Sequence, residues 1–319
     1  MSYNMKKMHV ADWEGIFRIA SRNRRKLLNP FYSRRQFIVD LYKQQLGREP
    51  NLSDPKTFTE KLNAFKVSER APKKYWQYAD KYHVREYVED KIGKKYLIKN
   101  YLHVKRLTVA DLQKLPDAFV LKTTGGSGTN YIVQNKKKEN LIEVVHYLNW
   151  LSGLKYGYIW GEFLYNQVPR GIVAEELLMG KDGNIPDDLK CFCFRDDKGV
   201  RRKILYVERV VGDERQRIMF DENWKPVDYG GSHFKKLDIK LKKPKNSEEI
   251  LHVIDKLSED FDFVRVDLFL LDNRIYFGEL TFVPTAGYLT FDDEENDELW
   301  GSWISDKGVF GGIKNKGAK

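Results

Sequence analysis

Apolar and polar positions alternate most densely between Phe263 and Pro284, FVRVDLFLLDNRIYFGELTFVP. Two stretches rich in β-branched and aromatic residues flank Asp272-Asn273-Arg274, which predicts a β-hairpin. Alternate residues of a strand share a face, so Arg265, Asp267 and Phe269 fall on one side and Val264, Val266, Leu268 and Leu270 on the other. The return strand puts Phe277, Glu279 and Thr281 on one face and Tyr276, Gly278, Leu280 and Phe282 on the other. A three-residue turn over 272–274 would pair Leu271 with Ile275 and Asp267 with Glu279. A two-residue turn would pair Asp267 with Gly278 and part the two acids. We expect the three-residue turn. Carboxylates side by side in an apolar sheet repel unless something positive lies between them. Mg²⁺ suits that place, held by one or two carboxylates plus phosphate oxygens. The alternative is a surface hairpin with solvated acids, against which the apolar density of both faces argues.

Upstream, Val10, Trp13, Phe17 and Ala20 recur at helical spacing among Arg18, Arg22, Arg24, Arg25 and Lys26. Such a helix either lies on an anionic membrane or packs its stripe on the protein, and packing is the expectation. A capping box, Thr57 to Glu60, opens a helix that buries Phe58, Leu62 and Phe65. After Pro72 a second amphipathic helix runs over 74–92 to Gly93, with Lys81 near its middle and Arg85 beyond. A strand over Phe119 to Leu121 ends in Lys122, then Thr123 to Asn130 form a loop containing Gly125, Gly126, Ser127 and Gly128, and Tyr131 to Val133 return. A helix over 138–152 and an aromatic-rich stretch, Tyr156 to Tyr165, lead to a strand over 171–178 that turns acidic at Glu175-Glu176-Leu177-Leu178. The next strand places Asp188, Lys190, Phe192 and Phe194 on one face, and another over 203–211 carries Arg209. A lysine-rich connection, 235–245, precedes a helix over 248–257. The last ten residues, Phe310 to Lys319, read as a flexible tail.

Composition narrows the class. The chain has 319 residues, 41% of them hydrophobic, which is enough for a packed core. Its 2 Cys, at 191 and 193, make no disulfide framework or zinc spacing. No signal-peptide pattern opens the chain and no apolar run reaches about 18 residues. A cytoplasmic setting is expected, with the inner face of the membrane as the alternative. The net charge of +10 points to an acidic partner. Nucleic acid ranks last, because the basic residues are dispersed and no nucleic-acid-binding motif accompanies them.

The glycine loop can turn its N–H groups toward an anion, and Lys122 adds a full charge at its base. No GxxxxGK[ST] occurs and no GxGxxG opens a helix, so the P-loop and Rossmann patterns are excluded. An acidic strand exit between apolar walls suits a nucleotide base.

The order of these parts resembles the ATP-grasp superfamily: helix lysine, strand lysine with glycine loop, acidic strand exit, Asp-x-Lys strand, acidic hairpin. More closely, DPKTFTEKL, ADKYHVREYV, FVLKTTGGSG, DLKCFCF and the hairpin, occurring in order from Asp54 to Gly301, resemble the TupA-like ATP-grasp family named for teichuronopeptide biosynthesis. The resemblance implies an α+β fold with two subdomains clasping ATP, preceded by a helical N-terminal segment. The implied regions are 1–75 basic and helical, 76–178 and 179–305 the two subdomains, and 306–319 the tail. It implies nucleotide binding by Lys81, Lys122, Gly125, Gly126, Ser127, Gly128 and the hinge Glu175, Glu176, Leu177, Leu178. It implies Mg²⁺ on Asp267 and Glu279, and charge stabilisation by Lys190, Arg209 and Arg265. The family's Glu-x-Asn is Glu279-Leu280-Thr281 here. Threonine is shorter than asparagine, which leaves one or two metal ions open at Thr281. The implied activity is ligation of an amino acid or amine to a uronic acid, nucleotide- or lipid-linked, in bacterial surface-polysaccharide synthesis. A kinase acting on a hydroxyl and an inactive glycan-binding module are the alternatives.

Overall fold

The computed structural model describes residues 10–180, 183, 186–211, 214–229, 235–236 and 243–311. Helices open the chain: α1 (Val10–Leu27), α2 (Arg34–Leu46), α3 (Phe58–Val67), α4 (Arg70–Ala79) and α5 (Val84–Ile92). Then come β1 (Asn100–Val104), α6 (Val109–Gln113), β2 (Phe119–Thr123), β3 (Tyr131–Val133), α7 (Leu141–Leu151), α8 (Gly157–Trp160) and β4 (Ile172–Glu175). The remainder holds β5 (Asp187–Arg195), β6 (Arg201–Val211), β7 (Glu214–Phe220), β8 (Lys235–Lys236), α9 (Ser247–Ser258), β9 (Phe263–Leu271), β10 (Arg274–Thr281) and α10 (Glu294–Ser302). The strands form two sheets, ordered β1-β4-β2-β3 and β10-β9-β5-β6-β7-β8. Among the described residues every pairing apart from β7 with β8 is antiparallel.

Each sheet buries one face and leaves charge on the other. In the first sheet Phe119, Leu121, Val133, Ile172 and Ala174 pack with Val144 and Leu148 of α7. Strand alternation turns Lys122 and Glu175 the opposite way. In the second sheet Val264, Val266, Leu268 and Cys191 join Ile250, Val253, Ile254 and Leu257 of α9 in one core. The face of Lys190, Arg265 and Asp267 is apolar at one end, where Phe58 of α3 meets Phe192, Phe263 and Trp300. At its other end that face is charged.

The capping box forms as the pattern predicts, with Thr57 Oγ1 accepting from the Glu60 N–H and Glu60 accepting from the Thr57 N–H. It starts α3, all of whose residues are buried. The α1 stripe packs on the body: Trp13 and Ala20 are buried, and Phe17 stacks on Trp150 at 4.3 Å. Among the described residues no helix is long and apolar enough to cross a membrane.

Three expectations need correction. The helix over 74–92 is two helices, because the Asp80 carboxylate takes the N–H groups of Tyr82 (2.7 Å) and His83 (3.0 Å) and turns the chain there. Lys81 lies in that turn. Phe310 is no flexible residue: it is 1% exposed and stacks on Phe65 at 4.8 Å. The hairpin turn has two residues, with Arg274 opposite Leu271. Asp272 and Asn273 both have positive φ, 50° and 61°, as a type I′ turn requires. That register would part the two acids, yet Asp267 still faces Glu279, because the pairing slips between Phe277 and Glu279. Gly278 is the extra residue of this bulge, and a Cβ there would stand 2.9 Å from the Asp267 carbonyl oxygen.

Candidate active site

Lys122 projects from β2 and donates to Glu175 of the neighbouring β4 at 2.7 Å. Arg85, from the first turn of α5, reaches the other oxygen of Glu175 at 3.6 Å and donates to the Ile98 carbonyl. Two cations thus share one buried carboxylate. The sequence marks Arg85 only as a second cation, and its spacing of four from Lys81 is the one hint that it belongs beside Glu175. Glu176 donates its backbone N–H to the Lys99 carbonyl and points its side chain outward, while Leu177 and Leu178 are half-buried where the chain leaves β4.

The glycine loop joins β2 to β3. Gly126 and Gly128 have φ of 84° and 73°, and a Cβ on Gly126 would stand 2.6 Å from the Tyr156 ring. Ser127 Oγ meets the Tyr156 hydroxyl at 2.6 Å. Lys81 fastens the loop from the other side: its N–H donates to the Thr124 carbonyl at 3.0 Å and its Nζ to the Gly126 carbonyl at 2.6 Å.

The second sheet carries the opposite balance. Arg265 Nε and Nη2 donate to the two oxygens of Asp267 at 2.7 and 2.6 Å. Nη2 also reaches Glu279 at 3.3 Å and Thr281 Oγ1 at 3.1 Å, and the threonine hydroxyl donates to Glu279 at 3.0 Å. Two carboxylates and a hydroxyl thus share one guanidinium. Lys190 lies opposite Asp267 across β5 and β9, and its Nζ donates to Asp188. Arg209 lies on β6, but its side chain is outside the described residues.

The two clusters act on each other. Loss of hydration alone would raise the Glu279 carboxyl, but Lys81, then Arg265, outweighs it and holds it below the usual range. Burial pulls the Lys81 ammonium below its ordinary value, with Glu279 opposing that and Lys122 adding to it. Burial pushes the Asp267 carboxyl up to about 7, with Glu279 adding and Arg265 and Lys190 opposing. Burial would lower the Lys190 ammonium, but Asp267 and Asp188 bring it above its ordinary value.

Among the described residues no group of three or more His, Cys, Asp or Glu is arranged to hold a metal ion. Asp267, Glu279 and the Thr281 hydroxyl therefore form no all-protein cage. Two carboxylates do fit Mg²⁺ that keeps its remaining positions for phosphate oxygens or water.

No curated protein matches the chain. Among solved structures, the ADP complex of N5-carboxyaminoimidazole ribonucleotide synthetase is similar at 12% identity and a TM-score of 0.42, covering 64% of this chain and 45% of that one. D-alanine–D-alanine ligase of Helicobacter pylori is similar at 14% identity and a TM-score of 0.40, covering 70% of this chain and 60% of that one. L-amino acid ligase of Bacillus licheniformis is similar at 14% identity and a TM-score of 0.41, covering 84% and 55%. The chain thus spans less than two thirds of the length of each of these proteins. The family described as TupA-like ATPgrasp matches residues 60–305 of the 319. The chain belongs to the TupA-like ATP-grasp family.

Proposed function

We propose that this chain is an ATP-dependent carboxylate–amine ligase that joins an amino acid or peptide to a uronic acid in bacterial surface-polysaccharide synthesis. The observation that carries this conclusion is the opposite charge balance of the two ion networks. One face sets Lys122 and Arg85 on a single carboxylate, and the other sets Asp267 and Glu279 on a single guanidinium. An anion suits the first and a divalent cation the second, and a metal–nucleotide complex supplies both.

Lys81 and Lys122 hold phosphate oxygens, and the N–H groups of Gly125 to Gly128 close over them. Glu175 to Leu178 take the adenine where the chain leaves β4. Asp267 and Glu279 hold Mg²⁺, supported by Thr281; the ion would neutralise phosphate charge. Arg265, Lys190 and Arg209 then balance the charge of the transferring phosphoryl group or seat the acceptor carboxylate. The carboxylate oxygen attacks the γ-phosphorus and ADP leaves; the amine nitrogen attacks the acyl carbon and phosphate leaves. Positioning and charge neutralisation do most of the catalysis, and the closed loop keeps water off the acylphosphate.

The uronic acid rests on the family resemblance and on the net charge of +10, which favours an acidic saccharide. A contact with anionic membrane is supported at the α1–α2 turn rather than on the buried α1 stripe. There Leu28 and Phe31 are 70% and 95% exposed, beside Arg24, Arg25 and Arg34. Retention of the wild-type chain, but not Phe31→Ser, on phosphatidylglycerol vesicles is the expected result; equal retention of both removes the membrane contact from the proposal.

The function is tested by ADP release from Mg²⁺-ATP with amino acids crossed against uronic acids and their nucleotide-linked forms, reading product mass in parallel. ADP release that needs both partners, with a product one water lighter than their sum, is expected. A product heavier by a phosphoryl group, formed on a hydroxyl, would make the protein a kinase.

A further inference from the structure

Helix α1 runs along α8 and α7 to the glycine loop, and the proposed chemistry gives it no part. Its 18 residues make a rod about 27 Å long, with Trp13, Phe17 and Ala20 on one face. Toward its end, Asn23 Nδ2 donates to the Tyr158 carbonyl at 2.9 Å and to the Ile159 carbonyl at 3.3 Å. In its middle, Phe17 stacks on Trp150 of α7 with 16° between the rings. Its first turns bring Trp13 to the loop itself. A Cβ on Gly128 would stand 3.9 and 4.0 Å from Cη2 and Cζ2 of the indole. The helix is thus fastened to α7 and α8 and touches the loop at its other end.

Trp13 is 2% exposed, and its buried Nε1–H has no acceptor. A buried N–H left unpaired is unfavourable and calls for an explanation. Trp224 and Trp300 also keep an unpaired indole N–H, so that fact alone does not single out Trp13. Position does. Trp300 lies in the core with Phe58 and Phe192, and Trp224 lies near Phe220. Trp13 lies against the loop that closes over the nucleotide in the proposed chemistry.

The ties of that loop show what closing has to change. Thr123 Oγ1 holds its base, bonding the Gly125 carbonyl at 2.9 Å and Thr129 Oγ1 at 2.6 Å. Its tip is held by Lys81 Nζ on the Gly126 carbonyl and by the Tyr156 hydroxyl on Ser127, both at 2.6 Å. The Lys81 ammonium that ties Gly126 is the one assigned to phosphate. Gly126 and Gly128, both with positive φ, are the residues about which the tip can turn.

We propose that α1 is a strap across the glycine loop, and that the Trp13 N–H takes a backbone oxygen of the Gly126–Gly128 segment when phosphate engages Lys81. Trp13 is then a positioning residue. It touches no substrate, and it holds the loop in its nucleotide-bound place. The donor that is unpaired in the free protein is paired in the complex, and this difference between the two states favours closure. The assignment rests on the nucleotide site proposed above.

The test is ¹H–¹⁵N correlation spectroscopy of the indole N–H groups in the full chain. The titrant is Mg²⁺ with the non-hydrolysable ATP analogue AMPPNP. The Trp13 signal is the one missing from Trp13→Phe, which keeps a ring against Gly128 and removes the donor. At saturation this signal moves downfield, as a newly hydrogen-bonded N–H does. By calorimetry Trp13→Phe binds AMPPNP about three- to tenfold more weakly, with its melting temperature retained. A Trp13 signal that stays in place, or an unchanged affinity in Trp13→Phe, overturns the assignment. A large drop in the melting temperature of Trp13→Phe also overturns it, because the indole is then a packing residue. No downfield movement among the seven indole signals of the wild type overturns it without any variant. Absence of AMPPNP binding by the wild type sinks the nucleotide site and this assignment together, whereas binding with the Trp13 signal unmoved sinks only this assignment.

Discussion

The Lys122–Arg85–Glu175 cluster and the Arg265–Asp267–Glu279 cluster are both ion networks, one at each sheet, yet they are built in opposite senses. In the first, one carboxylate keeps two cations apart and in place. In the second, one guanidinium keeps two carboxylates and a threonine hydroxyl together. Cations outnumber the carboxylate in the first network and carboxylates outnumber the guanidinium in the second, where Lys81 and Lys190 also act on the acids. The difference shows how a protein can keep unequal numbers of opposite charges together without leaving a bare buried charge, which would be costly. Lys81 links the two, bonded to the glycine loop and acting most strongly among cations on Glu279.

The comparison breaks most severely at Glu279. Glu279→Gln leaves Arg265 paired with Asp267 and removes the surplus negative charge, so turnover should fall by about 10²- to 10³-fold with the fold retained. Wild-type ADP release from that variant would remove Glu279 from the site. Lys122→Met should weaken AMPPNP binding by about 10- to 100-fold, measured by calorimetry. Undiminished affinity would mean that Arg85 and Lys81 alone carry the anion site. Gly278→Ala tests the hairpin that sets the second cluster. Its Cβ meets the Asp267 carbonyl oxygen at 2.9 Å, so the bulge must shift. A stability loss of about 1–3 kcal/mol in urea unfolding is expected, accompanied by lost activity. Stability loss with full activity would mean that the Asp267–Glu279 pairing is dispensable.

The smallest effect concerns the charges outside both clusters. The Glu162 carboxyl, raised to about 7, stabilises the fold fully below its ordinary 4.5 and loses that contribution as pH rises to 7. The Lys66 ammonium, lowered to about 7, contributes fully above 10.5 and loses that contribution as pH falls to 7. The pair is therefore least favourable near neutrality. Relative to Glu162→Gln/Lys66→Met, wild-type stability should dip near pH 7 and recover toward about pH 5.5 and about pH 9. A constant difference across that range would contradict the dip.

Much of the fold was legible because its signals are local. The Thr57–Glu60 capping box, the α1 stripe and the strand-to-glycine-loop junction at Lys122 all follow from spacing within a few residues. The hairpin is more instructive. The alternation predicts one turn over Asp272-Asn273-Arg274 with Asp267 opposite Glu279; the turn is shorter, and the bulge at Gly278 restores the pairing. A glycine in a strand signals a bulge only weakly, so two departures cancelled. The apolar spacing continues through Tyr75, Tyr78, Val84 and Val88 and predicts one helix that contains Lys81. Only the Asp80 side chain, taking two N–H groups, breaks it. Glu162 and Lys66 were not legible as neighbours, since the fold alone brings α3 to the 157–166 segment. Phe310 likewise sits in a Gly- and Lys-rich stretch, and only its stacking on Phe65 reveals its place in the core.

The most direct measurement is calorimetric titration of AMPPNP, with and without Mg²⁺, into the wild-type chain, Lys122→Met and Glu279→Gln. Lys122→Met should lose affinity by the same factor whether or not Mg²⁺ is present. Glu279→Gln should match the wild type without Mg²⁺ and lose only the gain that the ion confers. Equal losses for both variants under both conditions, or a full Mg²⁺ gain in Glu279→Gln, would contradict the division of the cleft into an anion face and a cation face.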